Sequence, residues 1–183
     1  MLSLPQLSVY LQALHVGRQA FACLGNHDLW HCDPETLQRF SAEAGMSLLV
    51  NASACLTRGG AQLPIVGITS AWAGTPDLQQ AYHGIAQSQP ALTLMHEPDY
   101  FDVIRQERRL LCQFSGHTHG GQCRVPVINF APVRVKYGKR YIDGHFHPTP
   151  SQQVYVSSGV GTTGMRVRFG CRPEIVLHTL HQA

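Results

Sequence analysis

No aspartate or glutamate occurs before Asp28, and after residue 123 only Asp143 and Glu174 appear. No run of about 18 apolar residues is present either, so no membrane-spanning helix is expected. The opening Met1–Tyr10 lacks a basic segment followed by an apolar one, so no signal peptide is expected. The six cysteines, Cys23, Cys32, Cys55, Cys112, Cys123 and Cys171, form no C-x-x-C pair. Scattered in this way they read as buried thiols rather than a disulfide framework, and a reducing cytoplasm is the expected setting. Internal repeats and low-complexity segments are also absent. What remains is ordinary globular material: 183 residues, 44% of them apolar, enough for one domain with a sizeable core.

The basic residues are unevenly placed. Arg124, Arg134, Lys136, Lys139, Arg140, Arg166, Arg168 and Arg172 crowd the last third. They read either as a solvated basic surface or as attraction for an anionic substrate or membrane face. Few aromatics interleave with them and no helical basic stripe is evident, so nucleic acid is not expected as a partner. Peripheral contact would place the chain at the inner face of the membrane.

Apolar periodicity gives alternating elements. Leu4, Leu7, Leu11 and Leu14 recur at helical spacing, and Ala20–Leu24 reads as a short strand. Asp33-Pro34-Glu35 opens a helix that should stop at Gly45. Strands are expected at Leu48–Val50, Ala54–Thr57 and Leu63–Ile68, the last two joined around Gly59-Gly60. A strand over Ala91–Met95, a helix over Pro98–Arg108 and a strand over Leu110–Phe114 follow. Val154–Val156, Met165–Phe169 and Ile175–Leu180 read as antiparallel strands. The class is therefore α/β, with antiparallel strands added late.

Polar clusters follow three of these strands: Asn26-His27-Asp28, His96, and His117-Thr118-His119. Loops after the carboxyl ends of strands are where sites gather in α/β sheets. A single histidine there is usually a satisfied structural residue. Repetition favours metal binding, because imidazole is a common borderline ligand. Gly116, Gly120 and Gly121 let the backbone approach an ion or substrate. Other motifs carry less. Gly159-Val160-Gly161-Thr162-Thr163-Gly164 matches G-x-G-x-x-G, but a strand rather than a helix is expected after it, and no acid follows about twenty residues on. His145 and His147 read as an exposed loop beside Pro148, and Glu107-Arg108-Arg109 as a solvated helix end.

Gly25-Asn26-His27-Asp28, Met95-His96-Glu97 and Gly116-His117-Thr118-His119 resemble, in order and spacing, the later motifs of calcineurin-like metallophosphoesterases. His96-Glu97-Pro98-Asp99, the extension through Gln122, and Arg168-Phe169-Gly170-Cys171-Arg172-Pro173-Glu174 are similar to a bacterial membrane-associated phosphodiesterase branch. The resemblance implies a four-layer α/β/β/α sandwich and hydrolysis of a phosphodiester or pyrophosphate bond, lipid-linked nucleotides included. It implies that Asn26, His96 and His117 bind one metal ion and His119 a second, the pair being Mn, Fe or Zn. His27 would face the substrate phosphate, with Asp28 orienting its ring.

The family pattern opens with Asp-x-His and Gly-Asp-x-x-Asp, and neither occurs here. The expectation is thus the C-terminal portion of one metallophosphoesterase domain, residues 1–183, with its first strands absent. An uncovered sheet edge and apolar surface should result. Without the bridging carboxylate, at most one ion and impaired hydrolysis are expected. The alternative is a non-catalytic short product serving as a one-metal binding or interaction module. Substrate, metal identity and oligomeric state are not legible in the sequence.

Overall fold

The computed structural model describes residues 9, 11–13, 18–124, 133, 135–136 and 139–181. The helix expected over Leu4–Leu14 lies mostly outside them, as does Arg134; residues 9 and 11–13 are helical.

Short apolar runs form strands β1 (Phe21–Ala22), β2 (Ser47–Leu48), β3 (Ala52–Arg58), β4 (Ala61–Ile68), β5 (Ala91–Met95), β6 (Leu110–Ser115), β7 (Gly144–Phe146) and β8 (Gln153–Val156). They build a parallel pair, β1-β2, and a six-stranded sheet in the order β3-β4-β5-β6-β8-β7. β3 and β4 are antiparallel across Gly59-Gly60, whose φ angles of 56° and 82° suit a tight hairpin. β4, β5, β6 and β8 then run parallel. Among the described residues no strand pairs the outer edge of β1.

Helices α1 (Asn26–His31), α2 (Pro34–Glu43), α3 (Leu78–Ala81) and α4 (Phe101–Ile104) complete a mixed α/β architecture, the class expected. α2 follows its sequence signals closely. Asp33 Oδ1 caps it by accepting the Thr36 N–H at 2.8 Å, and Gly45 ends it with φ 74°. No helix among the described residues is long and apolar enough to cross a membrane.

Alternation along the strands feeds two cores. Val66, Ile68, Ala91, Met95, Leu110, Val154 and Val156 face one side, against Tyr82, Phe101, Ile104 and Tyr141. Leu63, Ile65, Leu92, Leu94 and Phe114 face the other, where Phe21 and Leu49 bring the small sheet down on the large one. That contact is close: a Cβ on Gly67 would lie 2.2 Å from Leu49 Cβ and 2.7 Å from Leu49 O.

Several expectations change. The helix expected over Pro98–Arg108 breaks into a 3-10 turn, Pro98–Tyr100, and the single-turn α4. Glu107 and Arg109 are not a solvated end. Arg109 pairs with Glu107 at 2.5 Å, donates to the carbonyls of Tyr82 and Ile85 at 2.8 Å, and lies over the Tyr82 ring. β8 is parallel to β6 rather than part of an antiparallel set, and the antiparallel partner is β7. Met165–Phe169 makes one isolated bridge, Cys123 to Phe169, and Ile175–Leu180 forms no strand. Ile175 and Leu177 are 79% and 92% exposed, so alternation there finds no layer to pack against.

Gly67→Ala should destabilise the fold by about 1–3 kcal/mol, because the added methyl overpacks the junction of the two sheets. Urea unfolding checks this, and an unchanged midpoint would show the junction to be pliable.

Candidate metal centre

Parallel strands bring their carboxyl ends to one edge of the sheet, and the polar clusters follow from those ends. His96 directly succeeds β5, and Ser115-Gly116 carries the chain from β6 to His117. Asn26 opens α1, after the short link from β1. Asp28 fixes that link by accepting the Gly25 N–H on Oδ2 at 2.8 Å.

Asn26, His27, His96, His117 and His119 all line one cleft of about 1490 Å³, the five side chains expected to converge. Asn26 is buried, and its Oδ1 lies 3.2 Å from His117 Nδ1. Two ligand atoms about 2.1 Å from one ion stand roughly 3.0–3.4 Å apart in octahedral or tetrahedral geometry, so this separation suits a shared cation. The His96 and His117 rings meet edge to face at 5.1 Å. Gly25 makes room for them: a Cβ there would sit 2.9 Å from atoms of the His96 ring.

Backbone conformation marks the same loop. His117 and His119 have φ of 65° and 51°, a left-handed region that non-glycine residues seldom occupy away from functional sites. Gly120 and Gly121 are left-handed as well, whereas a Cβ on Gly116 would meet open space. His119 Nδ1 is buried without a hydrogen-bond partner. An orphaned imidazole nitrogen in a left-handed loop is what an ion would satisfy.

Burial, reinforced by His117, His119 and His27, pushes the His96 pKa down to about 3. Burial also lowers that of His119, with Arg168 and the neighbouring histidines acting in the same direction. Both rings therefore stay neutral near pH 7, the form that binds metal. His27 is exposed, its ring 5.2 Å from Trp30 and 5.7 Å from His31. Trp30 and Trp72 extend this aromatic wall to His117.

Comparison with known proteins follows the same lines. The chain is 36% identical over 170 residues to phosphodiesterase YaeI of Escherichia coli, covering 86% of this chain and 56% of that protein. It is 30% identical over 158 residues to the uncharacterized metallophosphoesterase YkuE of Bacillus subtilis, covering 85% and 54%. Against the uncharacterized metallophosphoesterase YkoQ of the same organism, 30% identity extends over 195 residues, 97% of this chain and 67% of that one. The chain belongs to the calcineurin-like metallophosphoesterase family. It spans about half the length of the first two relatives. No family model matches the chain. No solved structure matches it.

Membership of this metallophosphoesterase family implies divalent metal ions, and the donor set fits them: neutral imidazoles and an amide oxygen suit a borderline cation. Glu97, part of the His96 motif but not among the expected ligands, has a carboxylate oxygen within 4.8 Å of His96 and His117 ligand atoms. Proximity alone would make it a third ligand. Its direction says otherwise: the fully buried carboxylate turns toward Ser70 Oγ and the Ala71 N–H, both of which donate to it. It anchors the residue after His96 to Ser70 and Ala71. In the sequence Glu97 is marked only as the residue after His96, and nothing there gives it a role distinct from that of a core residue.

His96 should make metal-free stability pH-dependent. Its pKa is about 3 when folded and about 6.5 when unfolded, so the contribution is complete above pH 6.5. As pH falls toward 3 the unfolded chain takes up the proton first, and stability declines by up to about 1.4 kcal/mol per pH unit. Urea midpoints between pH 7 and pH 4 should fall less steeply for His96→Gln. Parallel slopes would assign the decline to other groups.

Proposed function

We propose that this cleft is the metal-holding part of a phosphodiesterase site. The observation that carries the reading is the convergence of Asn26, His96 and His117, from three separate strand ends, on one cleft, with donor atoms 3.2 Å apart at their closest. Asn26, His96 and His117 would hold one ion, and His119 faces a neighbouring position. A bound ion polarises the phosphoryl oxygens and lowers the pKa of a coordinated water. His27, exposed on the cleft wall, would donate a proton to the leaving oxygen, while in the one side-chain bond described for Asp28 its carboxylate accepts the Gly25 N–H rather than orienting the His27 ring. Arg166 on the opposite wall would draw in the anionic substrate.

The basic last third is not one uniform surface. Arg124 pairs with Asp143, Arg140 with Asp102, and the Arg168 guanidinium turns toward backbone carbonyls. Among the exposed cations, which include Lys136, Lys139 and Arg140, Arg166 and Arg172 lie in the same segment as exposed Met165, Val167 and Phe169, the last 62% exposed. Cations beside apolar side chains at a cleft rim support a substrate with a lipid or other apolar arm, presented at a membrane face.

Catalysis by these residues should be weak. The cleft ligands are neutral, and Glu97 is turned away, so nothing among the described residues bridges two dications against their repulsion. With Mn and a chromogenic aryl phosphodiester, the chain should bind no more than one ion tightly. Turnover should fall on the order of a thousandfold below that of phosphodiesterase YaeI assayed alongside. His117→Ala should abolish both binding and turnover. Two tightly bound ions with turnover equal to YaeI would overturn the one-ion reading. Metal binding with no turnover at any concentration would leave the binding module.

A further inference from the structure

The His119 loop is held from behind by a side chain outside the cleft motifs. Arg168 Nη1 donates to the His119 carbonyl at 3.2 Å, and Nη2 donates to the Ser158 carbonyl at 2.7 Å. Nε and Nη2 both reach the Gly161 carbonyl, at 3.0 and 2.5 Å. Cys171, 3.6 Å from Arg168 Nη1, donates its thiol to the same His119 carbonyl at 3.3 Å. One planar guanidinium thus ties together three backbone carbonyls from two loops that follow different strands.

The local packing leaves this loop little alternative. A Cβ on Gly120 would lie 2.6 Å from Cys171 Sγ and 2.8 Å from Ser158 Cβ. The tail is stitched to the residues beyond it. Gln122 donates to the carbonyls of Thr163 and Met165, and the Phe169 and Arg124 N–H groups exchange bonds with Gln122 and Phe169. Within that seam Arg168 and Cys171 are the side chains whose bonds end on His119 itself, and of the two Arg168 also reaches the Ser158 and Gly161 carbonyls. His119 is left-handed, and its Nδ1 is buried with no partner.

We propose that Arg168 is a positioning residue for His119: by capping the His119, Ser158 and Gly161 carbonyls together, it holds the imidazole in its metal-binding orientation. This rests on the metal-site reading given above. Fork geometry is essential to it, because a lysine ammonium is a point donor that cannot span the three carbonyls.

Zn titration of the chain labelled with ¹⁵N-histidine tests this, since direct coordination moves a ring nitrogen resonance. In the wild type, both His117 and His119 should respond. In Arg168→Lys the His117 response should be unchanged, while half-saturation of His119 should rise about tenfold to hundredfold, as for loss of an outer partner of a ligand. Cys171→Ala, a milder change should arginine variants fold poorly, should shift His119 in the same direction by less. A general loss of structure would move both histidines together, and that outcome overturns the proposal. So does an unaltered His119 response in Arg168→Lys, or a wild-type His119 that never responds while His117 does. Silence of both histidines in the wild type would instead remove the metal reading, and this inference with it.

Discussion

Gly25 has no side chain, and the His96 ring occupies the space where one would lie. That contact joins the start of α1 to the end of β5, and so joins the small parallel sheet to the large one at the cleft. Any side chain at position 25 would push His96 away from His117, or α1 away from the sheet. Asn26 sits on the next residue, so its approach to His117 depends on the same spacing. The ligand geometry is in this sense a packing result: the donors are where they are because two sheets meet with no Cβ between them at this point.

Beneath the ligands lies a buried polar layer that fixes the turn after β5. Gln113 Nε2 donates to Ser115 Oγ at 2.8 Å and to the Glu97 carbonyl at 3.2 Å. Ser115 donates in turn to the Met95 carbonyl at 2.6 Å, and the Gly116 N–H reaches the His96 carbonyl at 3.1 Å. In a low-dielectric interior such bonds are directional and costly to break singly. They lock the ends of β5 and β6 together, so His96 and His117 leave the sheet in a fixed relation. Glu97 extends the layer to Ser70 and Ala71, both of which donate to its carboxyl oxygens. Rigidity below and an open cleft above is the arrangement that keeps ligands preorganised without closing the site.

Much of this was legible in the sequence because it depended on short-range pattern. β5 appears over the residues expected, and α2 begins and ends on its cap and glycine signals. The converging residues were found because each follows a strand, and parallel strands put such positions together. Parts that depended on tertiary partners were not legible. Alternation at Ile175–Leu180 looks like a strand, but strand identity needs a neighbour to pair with, and none is present among the described residues. Glu107 and Arg109 looked solvated because charge usually is; only the three-dimensional closeness of Tyr82 and Ile85 makes them a structural clamp. Arg168 was one of a crowd of basic residues, and its inward turn follows from carbonyls that only the folded loops bring together.

The contact between Asn26 and His117 joins residues 91 positions apart. Closing so long a segment is an entropic cost borne by the whole domain, because β4, β5 and β6 must all be in register before the two side chains can meet. The cleft therefore cannot persist as a local remnant in a partly unfolded chain. An ion that binds there selects the complete sheet and draws the folding equilibrium toward it in proportion to its concentration over its dissociation constant. With an ion held there as proposed, metal supply and conformational lifetime would be linked, and scarcity of the ion would be felt first as susceptibility to proteolysis.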